Sequence, residues 1–304
     1  MAMRLVVVFV IVAVVLSGGG ISSAAPRYSD WSAPEWLGGT VNSSAEDAGP
    51  AISKDGLALY FYSTRAGGQG GEDIYVSRRP SPTEPWGAPV NLGAPINTAG
   101  NERVPAFSRD DHQMFFARNG DLWVSYRLHK DEDFGDFGWQ TPTALTSLNT
   151  AFGEFGPNYF QDENGAVFLF FNSTRPGLGS NDIFVAIQQP DGSFGSVSNV
   201  TELNSPFVDA RTTISHDGLE MIFTSNRATG SIAGQLDLWS ATRESVSAPW
   251  SSPVSLISLN TAANDYTPYV SADRETLYFA SERAGGLGAG DLWVSTRTKG
   301  TGKP

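Results

Sequence analysis

The feature that most narrows the fold of this chain is internal repetition. Four landmarks recur five times, in the same order, along 304 residues. A period of about fifty residues implies units that cannot bury both faces alone and must stack on their neighbours. The first landmark is an aromatic residue followed by an aliphatic one: Trp31 and Leu37, Trp86 and Leu92, Trp139 and Leu145, Phe194 and Val200, Trp250 and Leu256. The second is Asn-Ser/Thr followed by an acid: Asn42 and Asp47, Asn97 and Glu102, Asn149 and Glu154, Asn204 and Asp209, Asn260 and Asp265. A proline follows each acid (Pro50, Pro105, Pro157, Pro268) except in the fourth copy, which has Thr212.

The third landmark is a turn leading into an aromatic-aliphatic run. Examples are Ser53-Lys54-Asp55-Gly56 before Leu59-Tyr60-Phe61, and Ser215-His216-Asp217-Gly218 before Met221-Ile222-Phe223. Asp-Gly between apolar runs is a hairpin signal. Most copies then show Ser-x-Arg, ending at Arg65, Arg175, Arg227 and Arg283. The fourth landmark is Asp-aliphatic-aromatic, at Asp73, Asp121, Asp182, Asp237 and Asp291.

Each copy therefore reads as four short strands separated by turns, and none carries a sustained helical period. Four strands per repeat predicts an all-β, five-bladed β-propeller of four-stranded blades. The phase of the repeat predicts how the ring closes. The chain opens on the Trp31 strand and ends on the Asp291 strand, so the N-terminal strand completes the last blade and removes an exposed edge.

Arg4, the apolar run Leu5–Leu16 and the small residues Ser22-Ser23-Ala24-Ala25 form the pattern of a secretory leader. The expected organisation is a signal peptide over 1–25, one propeller over 26–300 and a tail over 301–304. The expected location is periplasmic or secreted, with no stable membrane span after leader cleavage. The formal net charge of −12 argues against nucleic acid as a partner. The absence of cysteine excludes thiolate chemistry and disulfides.

The Asn-Thr-x-x-x-Glu-x-x-Pro, Ser-x-Asp-Gly, Leu-Tyr-Phe-x-Ser and Asp-Ile-Tyr-Val elements resemble the TolB-type, WD-like propeller repeat of bacterial exported proteins. That resemblance implies a non-catalytic platform in the cell envelope, rather than an enzyme, with an envelope protein or glycan as partner.

The candidate site residues follow from the repeat. Asp47, Glu102, Glu154, Asp209 and Asp265 occupy one equivalent position per blade, near one mouth of the channel. Such a ring could bind a ligand, or a cation on the channel axis. It could also be a bond repeated in every blade, to loop N–H groups or to the Ser-x-Arg arginine. The repetition favours the bond, and no cofactor is expected. The copies differ just after the acids, where Arg103, Phe155, Arg211 and Tyr266 are the further candidate ligand contacts. The alternative function is a glycosidase-like enzyme using carboxylates at this mouth. It needs two carboxyls in unlike environments, and the five acids sit in near-identical sequence contexts. The insertion Leu128–Gly138, with Asp131, Glu132, Asp133 and Asp136, reads as a solvated acidic loop rather than a calcium site.

Overall fold

A computed structural model of the chain describes residues 28–127, 138–228 and 235–300. The expected signal peptide over 1–25, most of the acidic insertion and the expected tail over 301–304 lie outside the described residues. The described residues form twenty strands in five four-stranded antiparallel sheets. The protein is the all-β, five-bladed propeller that the repeat predicts.

Blade one runs outward from the axis through Asp47–Ile52, Ala58–Ser63, Asp73–Arg78 and Val90–Asn91. The inner strands of the other blades are Glu102–Phe107, Glu154–Gln161, Asp209–Ile214 and Asp265–Val270. Each inner strand starts at the acid, so all five acids lie towards one mouth. The Ser-x-Asp turns lie towards the other.

The second strand of each blade explains the apolar runs. Ala58–Ser63 and Glu220–Ser225 are buried at every residue, because a neighbouring blade covers each face. Strands covered on both faces read as continuous apolar runs rather than alternating ones. The core is therefore a series of seams between blades. One seam joins Tyr60 and Ile74 of blade one to Met114 and Phe116 of blade two. Another joins Phe170 and Ile183 of blade three to Met221 and Phe223 of blade four.

The last sheet combines Asp265–Val270, Thr276–Ser281 and Asp291–Thr296 with the N-terminal strand Glu35–Trp36. Trp36 pairs with Trp293 and Glu35 with Val294. Ser32 N donates to Thr296 O at 2.7 Å, and Leu37 N to Leu292 O at 3.1 Å. The two chain ends thus seal the ring as the phase of the repeat predicts.

The landmarks are the bonds a blade needs. Each landmark asparagine clasps the third strand of the preceding blade. Asn97 donates to Ile74 O and accepts from Ile74 N, both at 2.9 Å. Asn42, Asn149, Asn204 and Asn260 do the same for Leu292, Leu122, Ile183 and Leu238. Each landmark tryptophan lies under an arginine that follows a third strand. Arg79 sits 4.1 Å from the Trp86 ring, Arg127 4.3 Å from Trp139, Arg243 4.3 Å from Trp250 and Arg297 4.2 Å from Trp31.

Candidate functional site at the acid-lined mouth

The five ring acids are fully buried, each with no exposed surface. Each accepts from the backbone N–H and hydroxyl of the Ser or Thr four residues earlier and pairs with an arginine. Glu154 accepts from Thr150 N at 3.0 Å, Thr150 Oγ1 at 2.7 Å, Ser173 Oγ at 2.9 Å and Arg175 Nη2 at 3.0 Å. Asp47 pairs with Arg65 at 2.5 Å, Asp265 with Arg283 at 2.6 Å, and Asp209 with Arg227. In blade two, where Ser-x-Arg is missing, Arg118 reaches Glu102 at 2.8 Å from the position that Ser63 holds in blade one. The carboxylates are thus engaged inside their own blades.

One step along each inner strand the chain makes a β-bulge, which re-aims the following side chains. The bulge residue has a positive φ in every blade: Gly49, Val104, Gly156, Arg211 and Thr267, between 50° and 67°. Only glycine adopts this geometry freely, and strain of this kind concentrates at functional sites. A Cβ on Gly49 would meet the Tyr62 ring at 2.8 Å and Val104 Cα at 3.2 Å, so neighbouring inner strands crowd together here.

Around this constriction the copy-specific residues meet. Arg103 stacks over the Phe155 ring at 6.0 Å, and Arg211 over the Tyr266 ring at 5.2 Å. Two carboxyls join them that sequence reasoning missed. Glu46 Oε1 accepts from Tyr62 Oη at 2.9 Å and Tyr266 Oη at 3.0 Å. Glu72 Oε2 lies 2.5 Å from Arg103 Nε. Glu46 pairs across one seam with Gly290, and Glu72 across the next with Asn101. The two acids therefore flank blade one. The Gly290 site is open for a reason, since a Cβ there would stand 2.3 Å from the Tyr266 hydroxyl.

Their surroundings are unlike. Burial raises the Glu72 carboxyl above the usual carboxylate range; Arg103 opposes that rise and the charge of Glu46 adds to it. Glu46 serves two phenols as acceptor. Burial and the carboxylate charge hold both phenols protonated, against the opposing charge of Arg211. The signal was present in the sequence. At the position before the ring acid the other copies carry Asn101, Gly153, Val208 and Asn264. Before the Asp-aliphatic-aromatic element they carry Gly120, Asn181, Leu236 and Gly290. Acids stand at these positions in copy one alone.

The structure thus brings Arg103, Phe155, Arg211 and Tyr266 to one mouth and ties Asp47, Glu102, Glu154, Asp209 and Asp265 into the blades below. Among the described residues, no three His, Asp or Glu side chains are grouped to hold a metal ion. No helix of the described residues is long and apolar enough to cross a membrane.

No protein-family model matches the sequence, and no curated protein is similar to it. Solved structures do match in fold. An α-L-arabinofuranosidase from Podospora anserina, in complex with cellotriose, aligns with a TM-score of 0.58 at 12% identity, over 90% of this chain and 98% of that one. An arabinanase from Bacillus subtilis aligns with a TM-score of 0.58 at 12% identity, over 86% and 96%. An endo-arabinase from Bacteroides thetaiotaomicron aligns with a TM-score of 0.57 at 12% identity, over 86% and 97%. The chain shares its fold with glycoside hydrolases.

These likenesses overturn the expectation of a TolB-type, WD-like repeat protein. With it falls the expectation of a non-catalytic platform that is not an enzyme, since whole chains of glycoside hydrolases superpose on the whole propeller. The physical reason for the misreading lies in the landmarks. Their asparagines clasp strands and their acids pair with blade arginines. They report what a blade needs, and so carry no information about the family. At 12% identity the likeness is one of fold, and the substrates of those enzymes are their own.

Proposed function

We propose that the chain is an exported carbohydrate-active hydrolase that cleaves a glycosidic bond at the acid-lined mouth. The observation that carries this reading is the pair Glu46 and Glu72, two neighbouring carboxyls in unlike surroundings. Glycoside hydrolysis uses one carboxyl as a proton donor and a second as a base or nucleophile. Environments that push two carboxyls apart assign those roles.

Glu72, raised by burial, is the proton donor. It protonates the leaving-group oxygen as the bond from that oxygen to the anomeric carbon breaks. Glu46, held as an acceptor by Tyr62 and Tyr266, faces the carbon side. Water supplies the hydroxyl that the anomeric carbon gains, and its proton passes to a carboxylate. The half-buried Phe155 ring offers an apolar face to a sugar, and Arg211 a donor to its hydroxyls. The shared fold with an arabinanase and an α-L-arabinofuranosidase supports a glycan as the substrate class.

The test is release of reducing sugar from arabinan, xylan and galactan, and of nitrophenol from a panel of 4-nitrophenyl glycosides. The expected result is turnover of at least one substrate, with Glu72→Gln lowering kcat by about 10²- to 10⁴-fold while the circular dichroism spectrum is unchanged. No turnover by the wild type on any of them, or full activity in Glu72→Gln, would overturn the reading.

A further inference from the structure

The rim of the acid-lined mouth carries a second set of exceptions to the repeat. Phe152 and Phe207 each stand two residues before a ring acid, where the other copies have Ala45, Gly100 and Ala263. Each inner strand starts at its acid, so both phenylalanines lie at this mouth, on blades three and four. Both are large apolar side chains left in water, 47% and 45% exposed. Their backbones are fixed. Phe152 N donates to Thr150 Oγ1 at 3.1 Å and Gly153 N to Thr174 Oγ1 at 3.0 Å. Phe207 N donates to Ser205 Oγ at 3.3 Å and Val208 N to Asn226 Oδ1 at 2.7 Å. A ring held on such a loop loses little freedom when a ligand packs on it.

Leu178 extends the patch. It sits in the Gly-rich loop between the second and third strands of blade three and is 53% exposed. A Cβ on the next residue, Gly179, would collide with Phe207 O, so this loop lies directly on the one that carries Phe207. Gly70 meets Gly100 O in the same way between blades one and two, and Gly288 meets Ala45 O between blades five and one. Of these three seams, the one between blades three and four alone sets an aliphatic side chain beside an aromatic one.

Position in the ring points to the occupant. The blades follow one another in chain order, so the seam between blades three and four faces blade one across the mouth. Blade one is flanked by Glu46 and Glu72. The surface between the two is continuous, since Phe155 of blade three lies under Arg103 of blade two, and Arg103 bonds to Glu72. A single sugar at the carboxyls cannot also cover rings on the far rim, but a chain of sugars can. Sugars present C–H faces that suit the negative face of an aromatic ring, and an exposed apolar patch continuous with a polar site marks a binding surface.

We infer, resting on the carbohydrate-active reading of this mouth, that the ligand is a polysaccharide bound along its length. One segment lies at Glu46 and Glu72, and another stacks on Phe152 and Phe207 beside Leu178.

The experiment is isothermal titration of the full chain carrying Glu72→Gln with arabinan, xylan and galactan, and with arabinose, xylose and galactose. At least one polymer is expected to bind saturably, with its monosaccharide on the order of a hundredfold weaker. Phe152→Ala and Phe207→Ala should each weaken the polymer roughly tenfold, as loss of one ring's apolar burial implies. Phe207→Tyr keeps the ring and should keep the affinity. Val254→Ala alters a 63% exposed side chain on the outermost strand of blade four, away from the mouth, and should change nothing. Circular dichroism confirms that each variant is folded. Ring-dependent polymer binding by a wild type that turns over nothing would remove the hydrolase and leave this surface standing. Polymer turnover indifferent to the Phe152→Ala/Phe207→Ala pair would do the reverse. Binding of none of the three polymers, affinity unchanged in that pair, or a monosaccharide bound as tightly as its polymer would each overturn the inference.

Discussion

Replacing Glu154 by glutamine tests whether the ring acids hold the blades together. The wild-type carboxylate is fully buried and receives four bonds, from Thr150 N, Thr150 Oγ1, Ser173 Oγ and Arg175 Nη2. Glutamine keeps the size and one acceptor oxygen, so Thr150 N can keep its acceptor at the Oε2 position while the Oε1 position, which serves Thr150 Oγ1, Ser173 Oγ and Arg175, becomes the amide nitrogen. The amide nitrogen then faces donors, and Arg175 loses its counter-charge. Breaking a buried ion pair from one side costs about 3–5 kcal/mol. The Arg175 side chain keeps 17% of its surface exposed, so water recovers part of that. We therefore expect a loss of about 3 kcal/mol, at the low end of the range. For a domain of this size each kcal/mol moves Tm by roughly 2 °C, so Glu154→Gln should melt about 6 °C lower. Differential scanning calorimetry reads the shift, and turnover per folded molecule should be unchanged. A Tm within 1 °C of wild type, combined with lost turnover, would mean that the carboxylate serves the ligand rather than the blade.

Three further outcomes follow from the same geometry. Trp31→Ala removes a buried ring that Arg297 covers at the ring closure, and should cost about 3 kcal/mol by thermal melt; a shift under 2 °C would show that the N-terminal strand adds little to closure. Gly49→Ala places a methyl group 2.8 Å from the Tyr62 ring at a φ of 67°, and should destabilise by about 2 kcal/mol in the same assay. Arg103→Gln removes the cation that opposes the rise of Glu72, so the Glu72 carboxyl should hold its proton to higher pH. Since the donor works only while protonated, the alkaline limb of the pH–kcat/KM profile should move upward, and a downward move would contradict the assignment.

Blade number and strand order were legible in the residues because they rest on interactions close in sequence, and the seal that Trp36 makes with Trp293 was legible from the phase of the repeat. Thr150 and Glu154 are four residues apart, and Asn97 reaches a strand that ends nineteen residues before it. A bond of that range, repeated in every copy, leaves a mark in every copy. The same property explains why those marks misled as to family.

Only the tertiary structure could decide which exceptions to the repeat meet. Glu46 and Glu72 occupy different repeat positions and come together by flanking one blade, while Tyr266 reaches Glu46 across the closure, 220 residues away. Arg109 and His216, 107 residues apart, meet at the opposite mouth. The proton affinity of a carboxyl depends on how much water and which charges surround it. Those are set by how neighbouring blades pack, and the local residues around Glu72 are silent on them.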